Sequence, residues 1–143
     1  MQQTLFLDFD GVLHPNLCAR SAWFSRMPLL EQALAGTDVR IVISSSWRFH
    51  HDYTALARRF PVSLRLLLDG TTGAAVVGRH ARHQEILAWL QRYGAGLPEA
   101  RWRALDDAAF EFPAPCAQLV HCDGATGMTL AEVQRLREWL GSG

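Results

Sequence analysis

Two carboxylates two residues apart close the apolar run Leu5-Phe6-Leu7-Asp8-Phe9-Asp10-Gly11, and a second acidic pair, Asp106-Asp107, closes another apolar run at 102–105. A carboxylate at the end of a segment that wants the core is costly to ionise unless something pairs with it. Four such groups brought together would repel one another. The simplest relief is a hard divalent cation with oxygen ligands, of which Mg²⁺ is the natural choice. The serines Ser44, Ser45 and Ser46 end a third apolar run and offer hydroxyls to an anion. The competing reading of each acidic pair is that one member caps a helix and the other faces water.

The segments that must position these groups are short. Residues 4–9 read as a buried strand, too short for a helix, and residues 39–43 as a second strand. Pro28 with Leu29, Leu30, Ala33 and Leu34, then Gly36, gives a helix with start and stop signals. Tyr53, Leu56, Ala57 and Phe60 share one helical face that Pro61 ends, and Ile86, Trp89, Leu90 and Tyr93 share another that Gly94 ends. Residues 62–68 are expected to form the third strand, with a Gly/Thr-rich loop at 69–73 behind it. Residues 102–105 and 117–120 supply the fourth and fifth strands. Thr129 and Glu132 form a capping box for a last helix carrying Leu130, Val133, Leu136 and Leu140. Alternation of strands and helices over short links predicts an α/β fold, a three-layer open parallel sheet of about five strands with helices on both faces. In such sheets ligands sit beyond the carboxyl ends of the strands, so Asp8/Asp10, the serines and Asp106/Asp107 should converge.

Charge supports a mixed site. The 143 residues have no net charge, and all fourteen cationic residues are arginine. Residues 1–39 carry two Arg against four acids, residues 40–103 ten against four, and residues 104–143 two against six. Acids at the two ends can hold a cation while central arginines hold an anion, although most of the ten arginines need be no more than solvated. The 49% hydrophobic content is that of a folded chain, expected to be a single domain over residues 1–143. No apolar run approaches the ~18 residues of a membrane span, the amino terminus does not read as a signal peptide, and three cysteines form no C-x-x-C pair. A cytoplasmic protein with no membrane partner is the expectation.

The order Asp8-Phe9-Asp10-Gly11, then a strand-end serine, a basic residue near the start of the helix before strand four, and Asp106-Asp107 resembles the haloacid-dehalogenase-like (HAD) superfamily across residues 4–107. The continuation Gly11-Val12-Leu13-His14-Pro15, the Ser-Ser-Trp run, Glu85-Ile86-x-x-Trp89-Leu90 and Gly127 with Thr129 look like the small HAD domains associated with RNA-repair proteins. The resemblance implies a phosphatase acting on phosphate monoesters. Asp8 would be the nucleophile and Asp10 the general acid and base. Mg²⁺ would be held by Asp8, the Asp10 carbonyl and Asp107, with Asp106 as alternate ligand or supporting group. Ser45 would bind a phosphate oxygen, with Ser44 and Ser46 as alternatives. The family's usual lysine is missing. Arg82 is its expected replacement and Arg79 the second choice.

The links hold no room for a cap domain, so the substrate would reach an open site. A phosphorylated nucleic-acid end or nucleotide fits that better than a small sugar phosphate, and Trp23 and Trp47 are candidates to stack a base. His14 reads as an exposed loop residue or a cleft lining. Asp123 reads as a loop cap or a contact to substrate or metal-bound water. Two other functions share these residues: a catalytically weak domain that binds a phosphorylated ligand or partner, and a phosphotransferase.

Overall fold

The computed structural model describes residues 2–94 and 96–141. Strands β1 (Thr4–Leu7), β2 (Arg40–Ile43), β3 (Leu68–Thr71), β4 (Trp102–Asp106) and β5 (Leu119–His121) form one sheet in the order β3-β2-β1-β4-β5. Every pairing is parallel, with Leu7 beside Ile43 on one side and Leu105 on the other. All five carboxyl ends therefore point to one edge. Helices α1 (Met27–Leu34), α2 (Tyr53–Ala57), α3 (Val62–Arg65), α4 (Ala81–Tyr93) and α5 (Leu130–Gly141) complete an α/β Rossmann-like fold with no cap domain among the described residues.

Alternation along β1 sets the two layers. Leu5 and Leu7 face a core shared with Leu30 and Leu34 of α1, Leu64 of α3, and Val133, Leu136 and Trp139 of α5. Phe6 points the other way, into a smaller core with Ile86 and Trp89 of α4 and Trp102 of β4. Its ring meets those of Trp89 and Trp102 edge to face, at 5.5 and 5.7 Å between centroids. This pins α4 across the middle of the sheet. The last helix opens on the expected capping box, in which the Thr129 N–H donates to Glu132 Oε1 at 2.8 Å.

One expected strand is a helical turn. Residues 62–68 offer apolar residues at alternate positions, but Pro61 opens α3, and its carbonyl accepts the Leu64 and Arg65 N–H groups at 3.0 and 2.9 Å. Burial follows the helical spacing Phe60, Leu64, Leu67, while Val62 and Leu66 stand 64% and 81% exposed. The edge strand begins at Leu68 and runs through the segment expected to be a loop. Its register slips by one residue against β2, and Gly70, at φ +88°, lies in the slipped stretch. The link from β4 to β5 holds only a 3-10 turn at Ala109–Glu111.

The helical reading of 62–65 makes a stability prediction. Leu64→Ala should cost about 2–5 kcal/mol in urea unfolding, and Leu66→Ala should stay within about 0.5 kcal/mol. Equal costs would restore the strand.

Candidate active site

The pairing of Leu7 with Leu105 places Asp8 and Asp106 side by side where β1 and β4 end, and the Asp8 N–H donates to the Leu105 carbonyl at 3.1 Å. Both carboxylates are buried. Arg82, in the first turn of α4, reaches between them: its Nη1 lies 2.7 Å from Asp106 Oδ2 and 3.4 Å from Asp8 Oδ1. Burial, then repulsion from Asp106, raises the Asp8 pKa well above its ordinary 3.8, and Arg82 opposes the rise. Burial likewise raises Asp106, against Arg82 and the N–H of Ala108, which donates to Asp106 Oδ1 at 2.9 Å. Burial disfavours the Arg82 cation, but the two carboxylates outweigh that and raise its pKa.

Asp107 completes an acidic cluster. One carboxylate oxygen from each of Asp8, Asp106 and Asp107 lies within 4.8 Å of the others. Asn16 Nδ2 donates to Asp107 Oδ2 at 2.7 Å. Gly11 and Gly124 pack so closely around that carboxylate that a Cβ on either would overlap it. Three converging carboxylates against a single guanidinium form a hard oxygen donor set with negative charge left over, which fits Mg²⁺.

Asp10 stands apart from this cluster. Its carboxylate is half exposed and accepts from Trp47 Nε1 at 3.2 Å on Oδ1 and 3.1 Å on Oδ2, with His14 Nε2 at 2.7 Å from Oδ1. His14 is buried, not an exposed loop residue, because the rings of Trp23, Phe24 and Trp47 enclose it. Ser44 and Ser45 are buried at the end of β2, and Ser46 is exposed. The Ser45 hydroxyl accepts the Trp47 N–H at 3.2 Å and caps the 3-10 turn Ser46–Phe49.

Among the other sequence candidates, Arg79 is exposed, while Arg82 holds the acids. His80 precedes α4 at φ +55°, and His83 rests against Trp102 and Phe112 with its pKa lowered by burial and by His80. Asp123 caps its own loop through the Ala125 N–H at 2.9 Å.

Sequence reasoning missed a buried ion pair behind the serines. Arg48 Nη2 donates to Glu85 Oε1 at 2.8 Å, Nη1 donates to the Ser44 and Ser45 carbonyls at 2.9 and 3.0 Å, and Nε donates to the Gly73 carbonyl at 3.1 Å. Burial lowers the Arg48 pKa, opposed by Glu85, whose other oxygen accepts the Val76 N–H at 3.0 Å. Glu85 lies one turn beyond Arg82, so this clamp fixes the serine strand end against the helix that carries Arg82. The sequence holds no local sign of it, since the partners are 37 residues apart. Asn16 was missed as well.

A family model described as HAD domain in Swiss Army Knife RNA repair proteins matches residues 4–133. No curated protein and no solved structure matches the chain.

The acidic cluster should make the metal-free protein pH-sensitive. Asp8 and Asp106 hold protons more tightly folded than unfolded, so across the window from the ordinary 3.8 up to their raised values the native state binds the extra protons. Stability should therefore fall as pH rises through that window. Urea unfolding at stepped pH should show this fall, and Asp8→Asn should flatten it. Above the window Mg²⁺ at about 100 times its Kd should restore ~2.7 kcal/mol, an effect that Asp107→Asn should weaken.

Proposed function

Since the chain belongs to the family of HAD domains found in Swiss Army Knife RNA repair proteins, we propose that it is a phosphatase-type hydrolase that cleaves phosphate monoesters through Asp8. One observation carries this reading: a buried strand-end carboxylate faces the Arg82 guanidinium at 3.4 Å, beside acids that a metal would neutralise. Asp8 attacks phosphorus in line, the bond from phosphorus to the leaving oxygen breaks, and an aspartyl phosphate forms. Asp10 gives its proton to the leaving oxygen, then takes one from the water that attacks the same phosphorus, releasing phosphate and freeing Asp8. Arg82 and Ser45 bind phosphate oxygens, with Ser44 and Ser46 as the neighbouring hydroxyls. Mg²⁺ would be held by Asp8, Asp107 and the Asp10 carbonyl, with Asp106 as alternate, and when bound supplies charge that offsets the repulsion between carboxylate and phosphate.

A phosphorylated nucleic-acid end or nucleotide is the substrate class in this reading. Its support is the aromatic and cationic wall beside Asp10, where Trp23, Phe24, Trp47 and His51 gather. The Arg59 guanidinium lies 5.3–5.9 Å from three of these rings, and Arg20 lies 5.1 Å from Trp23. A cytoplasmic location belongs to the same reading, supported by three free cysteines and by the absence, among the described residues, of any helix long and apolar enough to cross a membrane.

Phosphate release with Mg²⁺ from p-nitrophenyl phosphate and from 3′- and 5′-phosphorylated oligonucleotides tests both parts. Release should vanish in Asp8→Asn and fall roughly 10²–10⁴-fold in Asp10→Asn. Arg82→Ala should abolish most turnover and Arg79→Ala should not. Release that survives Asp8→Asn would refute the nucleophile. Comparable turnover on small and oligonucleotide phosphates would refute the substrate class.

A further inference from the structure

Both ring nitrogens of His14 are engaged, and their partners fix where its proton lies. The Phe24 N–H points to Nδ1 at 3.1 Å. A backbone amide only donates, so Nδ1 holds its lone pair and Nε2 carries the ring proton. Nε2 is therefore a donor to Asp10 Oδ1, 2.7 Å away. The Trp47 indole has no lone pair to offer and donates to the same carboxylate from the other direction, 3.1 Å from Oδ2 and 3.2 Å from Oδ1.

The histidine is packed on several sides. Its ring sits 6.4 Å from Trp23, 5.3 Å from Phe24 and 5.9 Å from Trp47, centroid to centroid. The His14 carbonyl accepts the Gly11 N–H at 2.9 Å, and the next-door Leu13 carbonyl accepts the Arg26 N–H at 2.8 Å. Phe24 holds a left-handed φ of +62°, a conformation unfavourable for a residue with a side chain, and in it presents its N–H to His14. A ring that must accept on one edge and donate on the other, without bending, is a role that histidine fills and an aliphatic or carboxylate side chain does not.

We infer that His14 is a positioning residue for proton transfer: with His14 and Trp47 both on Asp10 Oδ1, Oδ2, which has only the shared Trp47 donor, keeps a lone-pair position from which it passes the proton to the leaving group and later receives one from water. The inference rests on the phosphatase reading and adds a property to it. His14 matters in proportion to the leaving group's need for a proton. An acidic phenol departs without one, and an alcohol does not.

The test compares kcat/KM, which reports the steps through leaving-group departure, on p-nitrophenyl phosphate and benzyl phosphate, two aromatic esters of similar size. His14→Asn keeps an acceptor for Phe24 and loses the donor to Asp10; it should lower kcat/KM on benzyl phosphate on the order of 10- to 100-fold and on p-nitrophenyl phosphate by no more than about threefold. His14→Gln, which places an amide donor near the Nε2 position, should recover most of the loss. In an Asp10→Asn background His14→Asn should cost nothing further on benzyl phosphate. Equal losses on both esters, no loss on either, or an undiminished loss in the Asp10→Asn background would overturn the inference while leaving the phosphatase reading intact. A wild-type protein that releases phosphate from neither ester and from no phosphorylated oligonucleotide would overturn both. If His14→Asn does not fold, Trp47→Phe in the same two backgrounds removes the second donor and keeps a ring; it should give the same leaving-group dependence at smaller size, and a uniform loss would overturn the inference.

Discussion

The contact on which the site turns is the Arg82 guanidinium set between Asp8 and Asp106. Parallel pairing of β1 with β4 forces those carboxylates together at the buried edge of the sheet. Repulsion and lost hydration favour their protonated forms, and a protonated carboxyl is a poor nucleophile. One arginine, delivered by the first turn of a helix, opposes that. The helix must therefore be anchored well, and its lower turns supply the anchor: Ile86 and Trp89 grip Phe6, and Glu85 locks onto Arg48. Local stability is given up at the acidic cluster, and the packing on either side compensates.

Two aspartates two residues apart acquire opposite environments because the chain leaves the strand between Leu7 and Asp10. Had β1 continued, Asp8 and Asp10 would share one face of the sheet. Instead Asp8 stays in the buried cluster, and the turn through Gly11, at φ +77°, leaves Asp10 half exposed against Trp47 and His14. Gly11 also leaves room for the Asp107 carboxylate. The proposed reaction gives these two environments different work, attack to the buried acid and proton transfer to the half-exposed one.

The parts legible in the sequence are those where a local pattern stops abruptly. Apolar runs that end in Asp8, in the serines and in Asp106 mark strand ends, and a parallel sheet gathers strand ends on one edge. Arg82 was legible as the basic residue at a helix start. The error at 62–65 arose because apolar residues at alternate positions satisfy a strand's period, whereas burial of Phe60 and Leu64 obeys a helix's. The bulge at Gly70 disguised the real edge strand as a loop. His14 was legible only as a loop residue or a cleft lining, since its burial depends on rings from the Trp23-Phe24 segment and from Trp47, which only the fold assembles. The Arg48–Glu85 clamp and the Asn16 contact to Asp107 were illegible for the same reason: each joins segments far apart in the chain, by hydrogen bonds that have no period.

In the proposed reaction Asp8 itself takes the phosphoryl group. Its most direct test is a single turnover of the wild-type protein with a phosphate monoester and Mg²⁺, quenched in acid and digested for mass spectrometry. A transient phosphoryl group is expected on the peptide containing Asp8, attached at that side chain and gone once substrate is exhausted. Phosphate release with no such adduct, or with the group on a serine or histidine, would contradict it.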